Sequence, residues 1–382
     1  MAPMNHPTSS RASKQRGFSL VEILVGVVIG LIGVAVMFQM MAIWSNHERS
    51  TTSGGELQTA GAIGMFSLER DLKSGGLGFS TAKAPTAGCT VSGTDNGRPF
   101  SFPLQAIAIT PAAGGAPDTV RVTYGNSSFF VTEETFKDSS PLSKKTNRRN
   151  GFKAGDLAVV ADPSTIPVYC TLIEITSDTN PDLYTLEHAN VAYTSAYAAS
   201  GAPPTNARFN PAGGTGALYT AGNIYSLGNG PRSNMWEIFG GRVLRRTDQI
   251  YNNAVDVAEN VVNLKAEYGV DLNGDGIIQA GEWGTAAPAS PTALLAVRVA
   301  MLVRGAQFEK SRDASAGGAA SAVTPDAPRW AERDAAHAFL MTNVDGTPDS
   351  FDQTQADPNN WRYYRYRVYE RVIPLRNMIW GL

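Results

Sequence analysis

The sequence is poor in residues that support metal or nucleophilic chemistry. Across 382 residues there are four histidines and two cysteines. His6 and His47 flank an N-terminal apolar run, and His188 and His337 stand alone in the body, so none sits in a metal-ligand spacing. No G-x-S-x-G elbow occurs, and no G-x-G-x-x-G follows a strand-like run. An enzyme needs a constellation of catalytic groups, and none is legible. Charge imbalance is also missing. Lys+Arg 32 against Asp+Glu 34 leaves a formal net charge of −2, which gives no case for a chain-wide nucleic-acid binder. What is plentiful is glycine (38) and proline (22), which suggests a β-rich, loop-rich body.

One absence is local. From Ile23 to Asn46 there is no charged residue. At ~1.5 Å per helical residue, the run from Phe18 to Trp44 exceeds the ~30 Å hydrocarbon core of a bilayer. A single acid, Glu22, intrudes four residues after the run begins. A carboxylate near the end of such a helix costs a few kcal/mol unless it is neutralised or paired. Residues 1–17, "MAPMNHPTSSRASKQRG", carry Arg11, Lys14 and Arg16 and no acid, a pattern that holds an N-terminus in the cytoplasm. An ordinary secretory signal has an apolar region of roughly 7–15 residues and a small-residue cleavage site. This run is much longer, and its end, "MMAIWSN", offers no A-x-A pattern. A plain membrane anchor leaves Glu22 unexplained.

The stretch "RGFSLVEILV" resembles the type III signal of type IV pilins and type II secretion pseudopilins. The resemblance implies a leader, residues 1–17, that prepilin peptidase removes between Gly17 and Phe18 before methylating the new amine of Phe18. It implies that Glu22 pairs in the filament with the N-terminal amine of a neighbouring subunit. A buried charge with such a partner is tolerable, whereas one without is penalised by several kcal/mol.

Beyond the membrane run, Leu57, Gly61, Gly64, Leu68 and Leu72 recur at steps of three and four, an amphipathic stripe. Glu69, Arg70, Asp71 and Lys73 lie mostly off it, and Gly75–Gly76 make a stop. The spacing predicts one long helix over about 18–74. Residues 18–45 form its transmembrane, filament-core half, and residues 46–75 its amphipathic half, packed on a body of 76–382. The fold class is α+β, type IV pilin-like, with a β-sheet-rich globular domain. "LQAIAI", "DTVRVTY", "DLAVVA" and "CTLIEIT" read as strands between turns. The basic run "KKTNRRN" reads as a solvated loop tip, and about 311–360 as a surface insertion between two strands. In the first of these strands Leu295, Val297, Val299, Met301 and Val303 share one face, with Arg298 and Arg304 opposite. In the second, Tyr364, Tyr366, Val368 and Val372 oppose Arg365, Arg367, Tyr369 and Arg371. Interleaved Arg and Tyr suit either a half-exposed sheet face or stacking on single-stranded nucleic acid, and the first is the simpler requirement.

"NIYSLGNGPRSNMWEIFGGRVLRR", "VAENVVNLKAEYGVDLNGDG" and "YRYRVYERVIPLRN" resemble the C-terminal landmarks of PilW-type minor pilins. That resemblance implies a non-enzymatic, low-copy subunit that primes type IV pilus assembly and ends near the tip. Its implied partners are prepilin peptidase, other minor pilins, the major pilin, the inner-membrane assembly platform and a tip adhesin; no specific nucleic acid is expected. The body would be periplasmic until assembly and extracellular on the pilus, which serves such ends as twitching motility and cell adhesion. The alternative within the superfamily is a J-type pseudopilin of type II secretion, which is usually shorter and lacks "YGVDLNGDG". A second alternative is a membrane-anchored adhesin or DNA-uptake binding protein.

Two further motifs keep two readings each. Cys89 and Cys170, 81 residues apart, form either one disulfide outside the cytoplasm, worth roughly 4–5 kcal/mol by chain entropy, or two buried thiols. "DLNGDGIIQAGE" fits the calcium loop D-x-[DN]-x-[DN]-G-x₅-E. Asp271, Asn273 and Asp275 would offer side-chain oxygens, Ile277 its carbonyl, Gln279 a water-mediated contact and Glu282 two oxygens, with Ile278 as the apolar anchor. The other reading is an Asn/Asp/Gly hairpin turn, because the flanks are not helical.

Overall fold

The computed structural model describes residues 18–83, 85–127, 133–137, 140–148, 151–177, 184–215, 219–309, 322–331, 335–351 and 357–380. The chain divides into two compact units, residues 1–53 and 54–382. Helix α1 is Leu20–Ser74, and the sequence-based helix agrees with it to within two residues at its start. In the first unit, Leu20–Met41 is the one span among the described residues long and apolar enough to cross a membrane, with mean hydropathy 2.7 and none of it buried. A helix that is apolar all round and uncovered by its own chain is built to be covered by lipid or other helices.

The second unit contains three sheets of four or more strands among the described residues, two of which share a core with α1. A large sheet has the spatial order Arg98–Pro103, Thr90–Asp95, Tyr169–Glu174, Leu157–Asp162, Ala221–Gly228, Glu134–Lys137, Ser143–Thr146, Thr185–Glu187. Its pairs are antiparallel except Thr90–Asp95 with Tyr169–Glu174. The central strand Leu157–Asp162 is buried along its whole length. That explains its continuous apolar run: Leu157, Val159 and Ala161 enter one core, and Ala158 and Val160 another.

The middle sheet runs Asn253–Glu259, Val243–Asp248, Arg232–Phe239, Thr119–Tyr124, Ile107–Thr110. Asn260, at φ 61°, turns the chain from this sheet into the C-terminal one. That sheet runs Trp283–Gly284, Val261–Val270, Leu294–Arg304, Tyr366–Pro374. One core joins both sheets to the stripe expected from spacing: Leu57, Leu68 and Leu72 of α1 meet Val122, Trp236, Leu264, Val299 and Met301. Full burial of each such leucine is worth about 1.5–3 kcal/mol. Gly61 lets the sheet approach closely. A Cβ there would lie 2.0–2.5 Å from ring carbons of Tyr369, whose hydroxyl donates to the Leu57 carbonyl at 3.1 Å.

Three expectations change. Lys144, assigned to a solvated tip, lies fully buried in the strand Ser143–Thr146, where its amine donates to the Ser140 carbonyl at 2.7 Å and Thr215 Oγ1 at 3.1 Å. The Arg/Tyr face of the last strand is not a free platform, because Tyr369 and Ile373 on it pack into the helix core. The insertion also does more than pass over the surface. Its Trp330, Ala331 and Phe339 are buried against Ala300 and Leu302, and Tyr366 and Val368 pack on the same cluster. A C-terminal sheet apolar on both faces needs a cover on the side away from the helix, and these residues supply it.

Candidate functional site

The leader and Gly17 lie outside the described residues. Phe18 is 78% exposed just ahead of α1, and Glu22 lies in the first turn, its amide donating to the Ser19 carbonyl at 3.0 Å. Phe18 precedes the helix by two residues, so its backbone amine lies close in sequence to the Glu22 carboxylate. A carboxylate there is also favoured by the positive end of the helix dipole. Glu22 is the only charged residue between Leu20 and Met41.

Cys89 and Cys170 are joined in a disulfide with Cα atoms 6.3 Å apart. The bond sits beside the parallel pair Val91–Cys170 and Ser92–Thr171. It braces the one parallel pairing in the large sheet.

The loop 271–282 is an exposed turn whose carboxylates are engaged by amides. Asp271 accepts from Gly274 N (2.7 Å), Asp275 N (3.2 Å) and Gly276 N (2.8 Å). Glu282 accepts from Leu272 N and Gln279 N at 2.9 and 2.8 Å, closing a capping box on the short 3₁₀ turn Ala280–Glu282. Asp275 accepts from Ile277 N, Asn273 Nδ2 and Gln279 Nε2, which hold its carboxyl below the usual carboxylate range. Gly274 and Gly276 take φ of 77° and 78°, which the turn requires. The Ile278 side chain packs toward Gly269, as an anchor should. Among the described residues no three His, Cys, Asp or Glu side chains converge to hold a metal. The structure thus brings Asp271, Asn273, Asp275, Gln279 and Glu282 together as a turn, while Ile277 is 65% exposed.

Three buried polar clusters escaped the sequence reading. Asp71, off the helical stripe by spacing, is buried and accepts from Tyr124 Oη (2.9 Å), Asn234 Nδ2 (2.7 Å) and Trp236 Nε1 (2.9 Å). On the far face of the C-terminal sheet, Arg298 bonds Glu267 and lies between the Trp283 and Trp330 rings, 4.9 and 5.5 Å from their centroids. His337 Nε2 reaches the same Glu267 at 3.4 Å. In the large sheet, burial pushes the Lys144 amine down to about 8, and burial with the Lys144 charge pushes His188 down to about 4.

Comparison with known families places these features. Residues 12–38 match the prokaryotic N-terminal methylation motif, which with the apolar span Leu20–Met41 fits a prepilin-class, membrane-anchored chain. Residues 225–377 match the family described as type IV pilus-assembly protein W, and together the two matches support a PilW-type minor pilin of the type IV pilus. The second match spans three strands of the middle sheet and the whole C-terminal sheet, the surfaces that hold α1. Both matches point to a structural pilin rather than an enzyme. No curated protein and no solved structure matches the chain.

Proposed function

We propose that the chain enters the inner membrane as a prepilin, N-terminus cytoplasmic and body periplasmic. It is cut between Gly17 and Phe18, methylated at Phe18, and then joins other minor pilins to prime the pilus and remain near its tip. The observation that carries this reading is the uncovered apolar helix with Glu22 as its one charge, one turn from Phe18. Cleavage at that point creates a cation beside a carboxylate that otherwise has no partner in lipid. In a bundle of such helices, the amine of one subunit and Glu22 of the next neutralise each other and fix the axial register. The PilW match over 225–377 favours this over a J-type pseudopilin.

The test is mass spectrometry of the N-terminal peptide with fractionation of sheared pili. The expected terminus is N-methylated Phe18. Glu22→Ala should be processed normally yet be lost from pili, and deleting the gene should sharply reduce surface pili while the major pilin persists. An intact Met1 terminus, or full incorporation of Glu22→Ala, refutes the reading. We also propose that the loop 271–282 takes calcium outside the cytoplasm, with Glu282 leaving its two amides to complete an oxygen shell; the unbroken motif supports it.

A further inference from the structure

Between α1 and the middle sheet lies a cleft of about 420 Å³. Phe66, Ser67 and Arg70 form the helix wall, and Arg232, Arg246 and Asp248 the sheet wall. Three of the cleft's charged groups are satisfied from within. Arg232 is paired with Asp248 at 2.8 Å, and Asp71 on the floor has its three donors. Arg70 and Arg246 have no carboxylate within ion-pair distance among the described residues.

The rim is apolar where water would be expected. Ile63 is 50% and Phe66 67% exposed, and with Arg70 they form one stripe at steps of three and four along α1. Across the cleft Val255 is 38% exposed, on the strand Asn253–Glu259. That strand ends the sheet, pairs only with Val243–Asp248 among the described residues, and exposes Asn253–Asp256 in a row. Aromatic and arginine side chains beside an open strand edge are the composition of an interface core rather than of a solvated face. Arg70 is exposed on the helix and Arg246 lies over the Trp236 ring at 6.0 Å, and two guanidinium groups without a carboxylate of their own select one, which they bind by paired hydrogen bonds. A small free anion would need the arginines but not the apolar stripe or the edge, which extend beyond them.

We propose that this cleft seats a carboxylate-bearing segment of a neighbouring pilin subunit, with Arg70 and Arg246 holding the carboxylate and Phe66 and Ile63 covered by the same neighbour. This rests on the reading of the chain as a subunit assembled with other pilins. It adds which part of the body makes the contact and what chemistry the neighbour must bring.

The test uses the full chain in piliated cells, with a photoreactive phenylalanine analogue at position 66 and, separately, the pair Arg70→Glu with Arg246→Glu. The expected result is a crosslink from position 66 to a second subunit that carries a methylated prepilin terminus. The double variant, processed at Phe18 as usual, should lose that crosslink and fall at least tenfold in sheared pili, while Arg70→Lys with Arg246→Lys should keep most of both. Should the double variant fail to fold, Arg70→Gln on the exposed helix surface replaces it, with a smaller loss expected. An unchanged crosslink and unchanged incorporation in the charge-altered variants overturn the proposal, as does a chain found in pili whose position 66 crosslinks only to lipid or to no pilin. A chain that keeps Met1, or is absent from every pilus fraction, instead refutes the pilin reading, and the cleft falls with it.

Discussion

The large sheet and the C-terminal half of the body solve the same problem differently. The C-terminal sheet and most of the middle one, within the matched family region 225–377, rest on α1 through a shared core. The large sheet is built mostly from residues before that region. It has its own cores on both faces and a disulfide across its one parallel pairing. The first gains stability from a helix it must hold; the second must hold itself. The difference marks a clamp for the helix and a self-supporting addition, and the two should respond separately to damage. Tryptophan offers a probe that tells them apart, because all six tryptophans lie outside residues 77–220.

The largest effect should come from Cys89→Ser with Cys170→Ser. Freeing an 81-residue closure costs up to about 4–5 kcal/mol by chain entropy. Amide exchange in Thr90–Asp95 and Tyr169–Glu174 should accelerate strongly, with the tryptophan unfolding midpoint nearly unmoved. A parallel fall in both would show one cooperative body and end the comparison. The converse variant is Gly61→Ala. Its methyl would overlap the Tyr369 ring, so the ring must swing and release the Leu57 carbonyl. A loss of about 1–3 kcal/mol is expected, seen by tryptophan and absent from large-sheet exchange. Equal stability with wild type would mean that the strand Tyr366–Pro374 shifts freely.

A third effect is confined to the large sheet and set by pH. His188 is fully buried, with neither ring nitrogen bonded among the described residues, and its folded pKa of about 4 lies below the unfolded 6.5. Between those values the unfolded chain binds the proton and the folded one does not. Stability is therefore full above pH 6.5 and falls as pH drops from 6.5 toward 4. Lys144, at about 8 against 10.5, acts in the same sense higher up: stability falls as pH drops from 10.5 to 8. At pH 5 the histidine alone should cost about 1–2 kcal/mol. Protection factors at Ser143–Thr146 and Thr185–Glu187, which divide out the slowing of intrinsic exchange toward acid, should fall between pH 7 and pH 5, and His188→Phe should flatten the change. A wild-type profile indifferent to pH would sink this account.

What was legible in the sequence follows from which forces leave a period. Burial on one side of a helix gave the stripe from Leu57 to Leu72, and two-sided burial gave the unbroken "LAVV" strand. The lone acid of an apolar run marked Glu22, and an even cysteine count allowed the disulfide. Satisfaction of a buried polar group leaves no period, because the partners come from distant strands. Asp71 looks like any surface acid until Tyr124, Asn234 and Trp236 arrive from 53, 163 and 165 residues away. Lys144 looks like its exposed neighbour Lys145, since alternation in a strand buries one and exposes the other. The insertion hid Trp330 and Phe339 behind a stretch of small and polar residues.

The smallest expected effect belongs to the loop 271–282, on the C-terminal side of the comparison. Without metal its carboxylates are already satisfied by amides, so the turn does not depend on calcium to fold. Binding must draw Glu282 away from Leu272 N and Gln279 N, and that exchange limits the affinity. With a dissociation constant around 10⁻⁴ M, 1 mM calcium stabilises by about 1.4 kcal/mol. The gain should appear in the tryptophan signal, because Trp283 directly follows Glu282 and covers Arg298. Large-sheet exchange should not respond. Asp271→Ala should abolish the calcium response and also lower metal-free stability, since three amides lose their acceptor. Glu282→Ala should do the same more mildly, with two amides released. If calorimetry of the detergent-solubilised chain shows no calcium heat, while both variants still lose stability, the loop is a turn whose acids serve only its own backbone.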